Sequence, residues 1–188
     1  DSVGAVALVM LLNRMSVTLF FDSSPQAQLS HAIAACCLLA LALRRRLPET
    51  CALIVFVLSV VQLVFLGSIE VGHIVASLCA LYSAVLYGRE HAWRWTGLAA
   101  ATCSVLMGLK IAADQHGYTT LFGAIAAFAG LTKPVSVTSS NTAAFFTGVM
   151  YTVAVLMLCA GIIAWARWAR SSDSNALVLQ AREEALVA

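Results

Sequence analysis

The residues of this chain that could do chemistry are a few ionisable side chains within, or at the ends of, long apolar runs. Arg14 interrupts the first run, and a charge in the middle of a membrane helix is costly and usually faces water or the bundle interior. One interpretation is a ligand contact, or an ion pair with an acid such as Glu70. The simpler interpretation, which we favour, is that the first helix is shorter and Arg14 lies at a membrane boundary.

Two further groups of ionisable residues lie near predicted helix ends. Glu70 and His73 are one turn apart and share a helix face, as a proton- or metal-sensing pair requires, although such residues are more often solvated helix ends. Lys110 and Asp114 are spaced for a structural ion pair in the less favourable order, and His116 extends a hydrated loop. The candidate sensing residues are Arg14, Glu70, His73, Asp114 and His116.

No arrangement in the sequence predicts a catalytic, cofactor or metal site. There is no HExxH motif, nucleophile elbow, glycine-rich phosphate loop or intramembrane pair of carboxylates. The six cysteines lie in apolar runs, without CxxC pairs or a histidine at metal-ligand spacing, which is typical of packing residues. We therefore expect binding without chemistry, no cofactor, no metal and no nucleic-acid partner.

The composition predicts the elements that position these residues. Hydrophobic residues make up 61% of the 188 residues, charged residues 11%, and the mean hydropathy is +0.90. A soluble domain of this length has too little interior for so much apolar side chain, so we expect an all-α, polytopic helical bundle in the lipid bilayer of the plasma membrane. Apolar runs predict six membrane helices at about 3–21, 29–43, 50–66, 70–87, 96–113 and 143–166.

Two connections between these helices carry further information. Residues 88–95 predict a short basic, aromatic loop, whereas residues 114–141 form a long connection. Within the latter, residues 119–131 are apolar but too short to cross a bilayer, so we expect an interfacial or re-entrant helix there.

Positive charge predicts the orientation of the bundle. Eight arginines fall in alternate connections, while Lys110 and Lys133 fall on the opposite side and Arg14 fits neither. Because basic residues concentrate on the cytoplasmic side, both termini are predicted to be cytoplasmic. The four tryptophans lie at the same predicted interface, where amphipathic rings settle. The topology anchors are Arg44, Arg45, Arg46, Arg89, Arg94, Arg167, Arg170 and Arg182.

The last membrane segment continues into a polar, helical tail. We interpret residues 1–170 as a transmembrane sensor domain and residues 171–188 as the start of a cytoplasmic signalling helix. The pattern stops at Ala188 without a helix terminator, so we expect a further module after it. The spacing from Leu179 to Leu186 suits the start of a coiled coil, although an ordinary juxtamembrane helix fits nearly as well.

Three stretches resemble the membrane-sensor domains of actinobacterial histidine kinases. They are LALALRRRLPETCALIVFVLSVVQLVFLG, LCALYSAVLYGREHAWRWTGLAAA and LVLQAREEALVA. The resemblance implies a two-component sensor kinase related to nitrate and membrane-fluidity sensors. Such a protein is a homodimer that autophosphorylates a histidine and passes the phosphate to a response regulator, and the kinase part would lie outside this chain. Arg14 and the long connection depart from the family pattern.

The alternative is a small integral membrane protein complete in itself, such as a transporter subunit or an assembly partner. It would need a polar pathway within the membrane. The candidates for that pathway are Asn13, Arg14, Ser59, Gln62 and Ser77, which is a thin set for a transporter. A membrane enzyme is the weakest interpretation, because nothing lies at catalytic spacing.

Overall fold

The computed structural model describes residues 25–66, 71–131 and 141–187, and over these residues the chain is helical, with no strand. The all-α prediction is confirmed. The predicted first helix at about 3–21 and residues 67–70, which include the predicted start of the fourth helix, lie outside the described residues. The described helices are α1 (Pro25–Ala40, followed by a 3-10 turn at Leu41–Leu43), α2 (Pro48–Phe65), α3 (Val71–Tyr87), α4 (Ala92–Gln115), α5 (Leu121–Phe128) and α6 (Asn141–Val187).

Three of these helices are long and apolar enough to cross a membrane, as expected of a membrane-associated protein. They are α2, α4 and the Thr142–Asn175 stretch of α6, whose apolar 18-residue windows have mean hydropathies of 2.0, 1.5 and 2.2. Shorter apolar stretches occur at Gln28–Leu43 and Gly72–Tyr87. The core lies where α1, α2 and α3 meet. Its most buried members include Cys37, Leu38, Cys51, Val55, Ala76 and Ala80.

The turn from α3 to α4 corrects one sequence prediction. A Cβ atom at Gly88 would lie 2.2 Å from the carbonyl oxygen of Ala84 and 2.9 Å from the Cβ of Ala92. Only glycine therefore permits so tight a turn, and α4 begins at Ala92. Trp93 and Trp95, which the sequence places in a loop, lie in the first turn of α4. The predicted loop at residues 88–95 is too long because its last four residues are helical.

The long connection contains α5, which has eight residues and is about 12 Å long. It is too short to span a bilayer, as the sequence predicts. The side-chain oxygen of Thr120 accepts a hydrogen bond from the amide of Gly123 and caps the helix. The rings of Phe65 in α2 and Phe122 in α5 stack with their centroids 5.6 Å apart. The short helix is thus held against the bundle.

The longest element is α6, which has 47 residues and extends about 70 Å. A membrane crossing needs about 20 residues, so roughly half of α6 lies beyond the length that a bilayer requires. The helix continues without a break through the polar residues 171–175. Most of its large apolar side chains up to residue 175 are exposed in this chain, including Phe145, Phe146, Met150, Met157, Trp165 and Trp168.

Candidate functional site

Four helices line a partly open cavity of about 170 Å³. Its walls come from α2, α3, α4 and α6, and most of the lining side chains are apolar. Concave, mostly apolar cavities with a few polar groups are where proteins bind small molecules. The polar groups that line this one are Ser59, His73, Ser77, Trp95, Thr96 and Ser104.

A hydrogen-bonded cluster of three of these side chains joins α2 to α3. The Oγ atom of Ser59 lies 2.7 Å from Nε2 of His73 and 3.2 Å from Oγ of Ser77. Ser59 also donates to the carbonyl oxygen of Val55 at 2.7 Å, and Ser77 donates to the carbonyl oxygen of His73 at 2.9 Å. The imidazole is only 4% exposed, and its Nδ1 atom has no hydrogen-bonding partner in the described part of the chain.

A second buried polar contact lies between α1 and α2. The side chains of Gln62 and Ser30 are both fully buried, and Nε2 of Gln62 donates to Oγ of Ser30 at 3.0 Å. Hydrogen bonds between apolar helices hold their relative rotation, because an unsatisfied polar group in hydrocarbon is costly. Gln62 is thus a structural link between helices.

The contact between α4 and α6 is unusually close. A Cβ atom at Gly108 would lie 1.8 Å from Oγ1 of Thr152 and 2.5 Å from the carbonyl oxygen of Gly148. A Cβ atom at Gly148 would lie 2.8 Å from the carbonyl oxygen of Gly108. Small residues allow membrane helices to approach in this way. This contact fixes α6 against the bundle on the side that carries the cavity.

At one end of the bundle, Arg170 ties α6 to the carboxyl end of α3. Its Nη1 atom donates to the carbonyl oxygens of Gly88 at 3.0 Å and Val85 at 3.3 Å. The last carbonyls of a helix have no partner within that helix, and a cation there is favourable. Arg170 therefore both caps α3 and anchors the point at which α6 leaves the bundle.

Aromatic rings reinforce the same junction. The guanidinium of Arg167 lies over the ring of Trp93, 4.6 Å from its centroid, and Arg94 lies 5.6 Å from the same ring. The rings of Tyr82 and Trp165 meet edge to face with centroids 6.0 Å apart. Cation–π and edge-to-face contacts favour one arrangement of α6 at this end.

The predicted topology anchors that the structure describes collect at this end, which we call the arginine end. The α1–α2 turn carries Arg44, Arg45 and Arg46, and the carboxylate of Glu49 after that turn accepts a hydrogen bond from the backbone amide of Arg89 at 2.9 Å. The basic α1–α2 and α3–α4 turns thus meet, and Arg170 contacts the α3–α4 turn at Gly88.

The opposite end of α4 carries Lys110, whose side chain is fully buried. It forms a salt bridge with Asp114, which is 43% exposed, and donates to the carbonyl oxygen of Thr119 at 3.0 Å. These contacts tie α4 to the segment before α5. Lys110 is thus buried, unlike a lysine at a wet interface, because a carboxylate and a carbonyl take the place of water.

The candidate sensing residues that the structure describes do not form one site. Arg14 and Glu70 lie outside the described residues. His73 lines the cavity and is buried, unlike a solvated helix end. Asp114 pairs with Lys110 near the far end of α4, and His116 is the residue that ends this helix. The structure therefore brings His73 together with Ser59 and Ser77, and leaves Asp114 and His116 apart from the cavity.

A family model described as a domain of unknown function, DUF7134, matches residues 1–148. The chain belongs to this family. No curated protein and no solved structure matches it. The matched part of this DUF7134 chain includes the cavity walls from α2, α3 and α4, whereas Val155, Leu158 and Cys159 of the α6 wall lie beyond it.

Sequence reasoning named Ser59, Gln62 and Ser77 only as a thin polar pathway and missed their contacts. It also missed the glycine contact between α4 and α6, although Gly108–Ala112 and Gly148–Thr152 are small residues at a spacing of four, a pattern typical of close helix packing. Among the described residues of this DUF7134 chain, no group of three or more His, Cys, Asp or Glu side chains is placed to hold a metal ion.

Proposed function

We propose that this chain is the membrane-embedded sensory domain of a two-component sensor histidine kinase. The observation that supports the proposal most is the continuity of α6. One helix lines the cavity at Val155, Leu158 and Cys159, passes the Arg170 contact and continues to Val187. A change in the packing of the bundle would move α6 as one rigid helix. Phosphorylation would take place in a cytoplasmic part of the protein beyond residue 188.

The mechanism requires two arrangements of the bundle that differ by a few kcal/mol, and a stimulus that prefers one of them. The close contact between Gly108 and Gly148 would act as the pivot, because it leaves no room for α6 to slide inward. At the arginine end, the hydrogen bonds from Arg170 would favour one of the two positions of α6. The stimulus would change the balance between these contacts.

The proposed topology has six crossings, with both termini cytoplasmic and the chain in the plasma membrane. The arginine end supports it, since basic residues concentrate on the cytoplasmic side and the two basic turns meet there. Alkaline phosphatase fused after residue 46 or 89 should be inactive, and the same enzyme fused after residue 117 should be active. Activity on the opposite pattern of fusions would overturn this topology.

The proposed partners are the bilayer, a second copy of the chain and, through the kinase part, a response regulator. The exposed apolar side chains of α6 support contact with lipid or with another copy. A homodimer in the membrane predicts a cross-linked species of twice the protomer mass from cysteines introduced along α6. A monomer at all positions would remove the dimer from the proposal.

The experiment that tests the function is an insertion series between Ser171 and Ser172, with autophosphorylation measured in isolated membranes. Four glycines should uncouple the kinase from the stimulus, because they break the helix. A helical seven-residue insertion is the matched control: two turns keep nearly the same helix phase, so regulation should survive. Equal regulation in both insertions would refute transmission through α6.

A point substitution tests the Arg170 contact separately from the continuity of α6. Arg170→Gln removes the cation that bonds to the carbonyl oxygens of Val85 and Gly88, so the resting level of autophosphorylation should shift. Arg46→Gln is the matched control, because Arg46 is exposed and lies in the α1–α2 turn. The same shift from both variants would mean that loss of positive charge, and not the Arg170 contact, sets the resting state.

A further inference from the structure

The positions of the hydrogen atoms in the Ser59–His73–Ser77 cluster indicate which kind of polar group a ligand in the cavity would need. Ser59 has one hydroxyl hydrogen, and the carbonyl oxygen of Val55 lies 2.7 Å away to accept it. Ser77 has its own acceptor in the carbonyl oxygen of His73, at 2.9 Å. The short contact between Ser59 and Nε2 of His73 then needs its hydrogen from the ring. This arrangement gives one hydrogen each to the three shortest of the four contacts, and leaves the longest, between the Ser59 and Ser77 hydroxyls at 3.2 Å, without one.

The consequence is the tautomer of the imidazole. A neutral ring with its hydrogen on Nε2 carries a lone pair on Nδ1, and this atom is buried with no partner in the described part of the chain. An unpaired buried acceptor is costly. The residue that carries it lines a cavity whose walls are mostly apolar. The missing partner is therefore a hydrogen-bond donor.

The volume of the cavity indicates how large a part of the donor molecule it can hold. A cavity of 150 Å³ in another protein stays dry and binds benzene, which has six heavy atoms, and the cavity here measures about 170 Å³. We propose that this cavity binds a small apolar molecule of about seven or eight heavy atoms that carries one O–H or N–H group, such as a phenol or a short alcohol, with Nδ1 of His73 as the acceptor. The apolar walls would hold the body of the ligand.

This inference deepens the proposed function and rests on it for one part only, namely that the ligand is the stimulus. Binding itself is independent of the kinase. Because α6 supplies one wall of the cavity, an occupied cavity would support α6 at Leu158 and Cys159. Occupancy would then favour the arrangement of the bundle in which the walls fit the ligand.

The test uses 4-fluorophenol and 4-fluorotoluene, which differ only in a hydroxyl against a methyl group. Binding of each probe to the intact protein in nanodiscs is measured by ¹⁹F NMR titration, with empty nanodiscs as the reference for partition into lipid. We expect saturable binding of the phenol, and a phenol preference that His73→Gln reduces roughly three- to tenfold. Gln places its amide where Nε2 contacts Ser59 and leaves the Nδ1 position empty.

Two further variants guard the result against misfolding. His73→Asn keeps a polar group at the Nδ1 position and should retain more of the preference than His73→Gln. Ala100→Phe fills the cavity from α4 and should weaken binding of both probes. The preference is a ratio within one sample, so a partly unfolded variant lowers both affinities and leaves the ratio intact.

The outcomes separate the two proposals. The binding site is overturned if the protein shows no saturable binding in excess of empty nanodiscs, or if the ratio of the two probe affinities is equal in the natural protein and His73→Gln. Transmission through α6 is then tested by the insertion series alone. Saturable phenol binding without any change in autophosphorylation confirms the site and overturns its role as the input. Binding with a changed level of autophosphorylation confirms both.

Discussion

The glycine contact between α4 and α6 predicts a sharp asymmetry between two glycine-to-alanine substitutions. In Gly108→Ala, the new methyl group would lie 2.5 Å from the carbonyl oxygen of Gly148 and 1.8 Å from Oγ1 of Thr152. The hydroxyl of Thr152 is held by the carbonyl oxygen of Gly148 at 2.9 Å, so it cannot rotate away without losing that bond. The backbone oxygen can move only with α6.

The magnitude follows from these distances. A carbon and a carbonyl oxygen rest at about 3.3 Å or more, so α4 and α6 would have to separate by about 0.8 Å to accept the methyl group. Overpacking of this kind costs about 1 to 3 kcal/mol, against a gain in helix propensity of at most about 1 kcal/mol. We expect Gly108→Ala to lower the free energy of unfolding by about 1 to 2 kcal/mol.

The matched control is Gly161→Ala in α6. A Cβ atom at Gly161 would meet nothing within 4 Å, so the free energy of unfolding should stay the same or rise by up to about 1 kcal/mol. The assay is unfolding by SDS in mixed micelles, followed by circular dichroism. Equal stability of the two variants would refute the close approach of α4 and α6.

Three further predictions concern the attachment of α5 and the far end of α4. Lys110→Met should lower the free energy of unfolding by about 1 to 3 kcal/mol, because the contacts to the Thr119 carbonyl and Asp114 are lost. Asp114→Asn should lower it further, because it leaves a buried cation without its counter-charge. The same SDS titration compares the two variants. Phe65→Ala should speed amide hydrogen exchange in α5 by removing the ring stack, whereas Phe128→Ala, at a side chain 97% exposed, should not. Thr120→Ala should destabilise α5 by about 1 kcal/mol through loss of its cap, seen as faster exchange in that helix alone.

The sequence predicted the described apolar helices well, because each is a nearly unbroken apolar run. The ends of α2 and α3 fall within two residues of their predicted positions, at Pro48–Phe65 and Val71–Tyr87. The start of α4 was wrong, since a basic and aromatic segment resembles a loop until Gly88 and its close neighbours show that the turn is tight.

The candidate site was less predictable than the helices. Spacing along one helix shows which residues share a face, but it does not show which faces of different helices meet. His73 was paired in sequence with Glu70, yet the contacts that the structure describes join it to Ser59, fourteen residues away on α2. Arg170 and Gly88 are 82 residues apart in the sequence, so no local sequence pattern predicts their contact. The resemblance to sensor kinases stays a prediction.

The measurement that tests the central claim most directly is the mass of the native protein in isolated membranes, detected with an antibody against this domain. If the chain is the input domain of a sensor kinase as proposed, the band should have about twice the 19.9 kDa mass of this chain or more, because the proposed kinase part would follow α6. That band should also take up phosphate from ATP. A band near 19.9 kDa would contradict the account and favour a small membrane protein complete in itself.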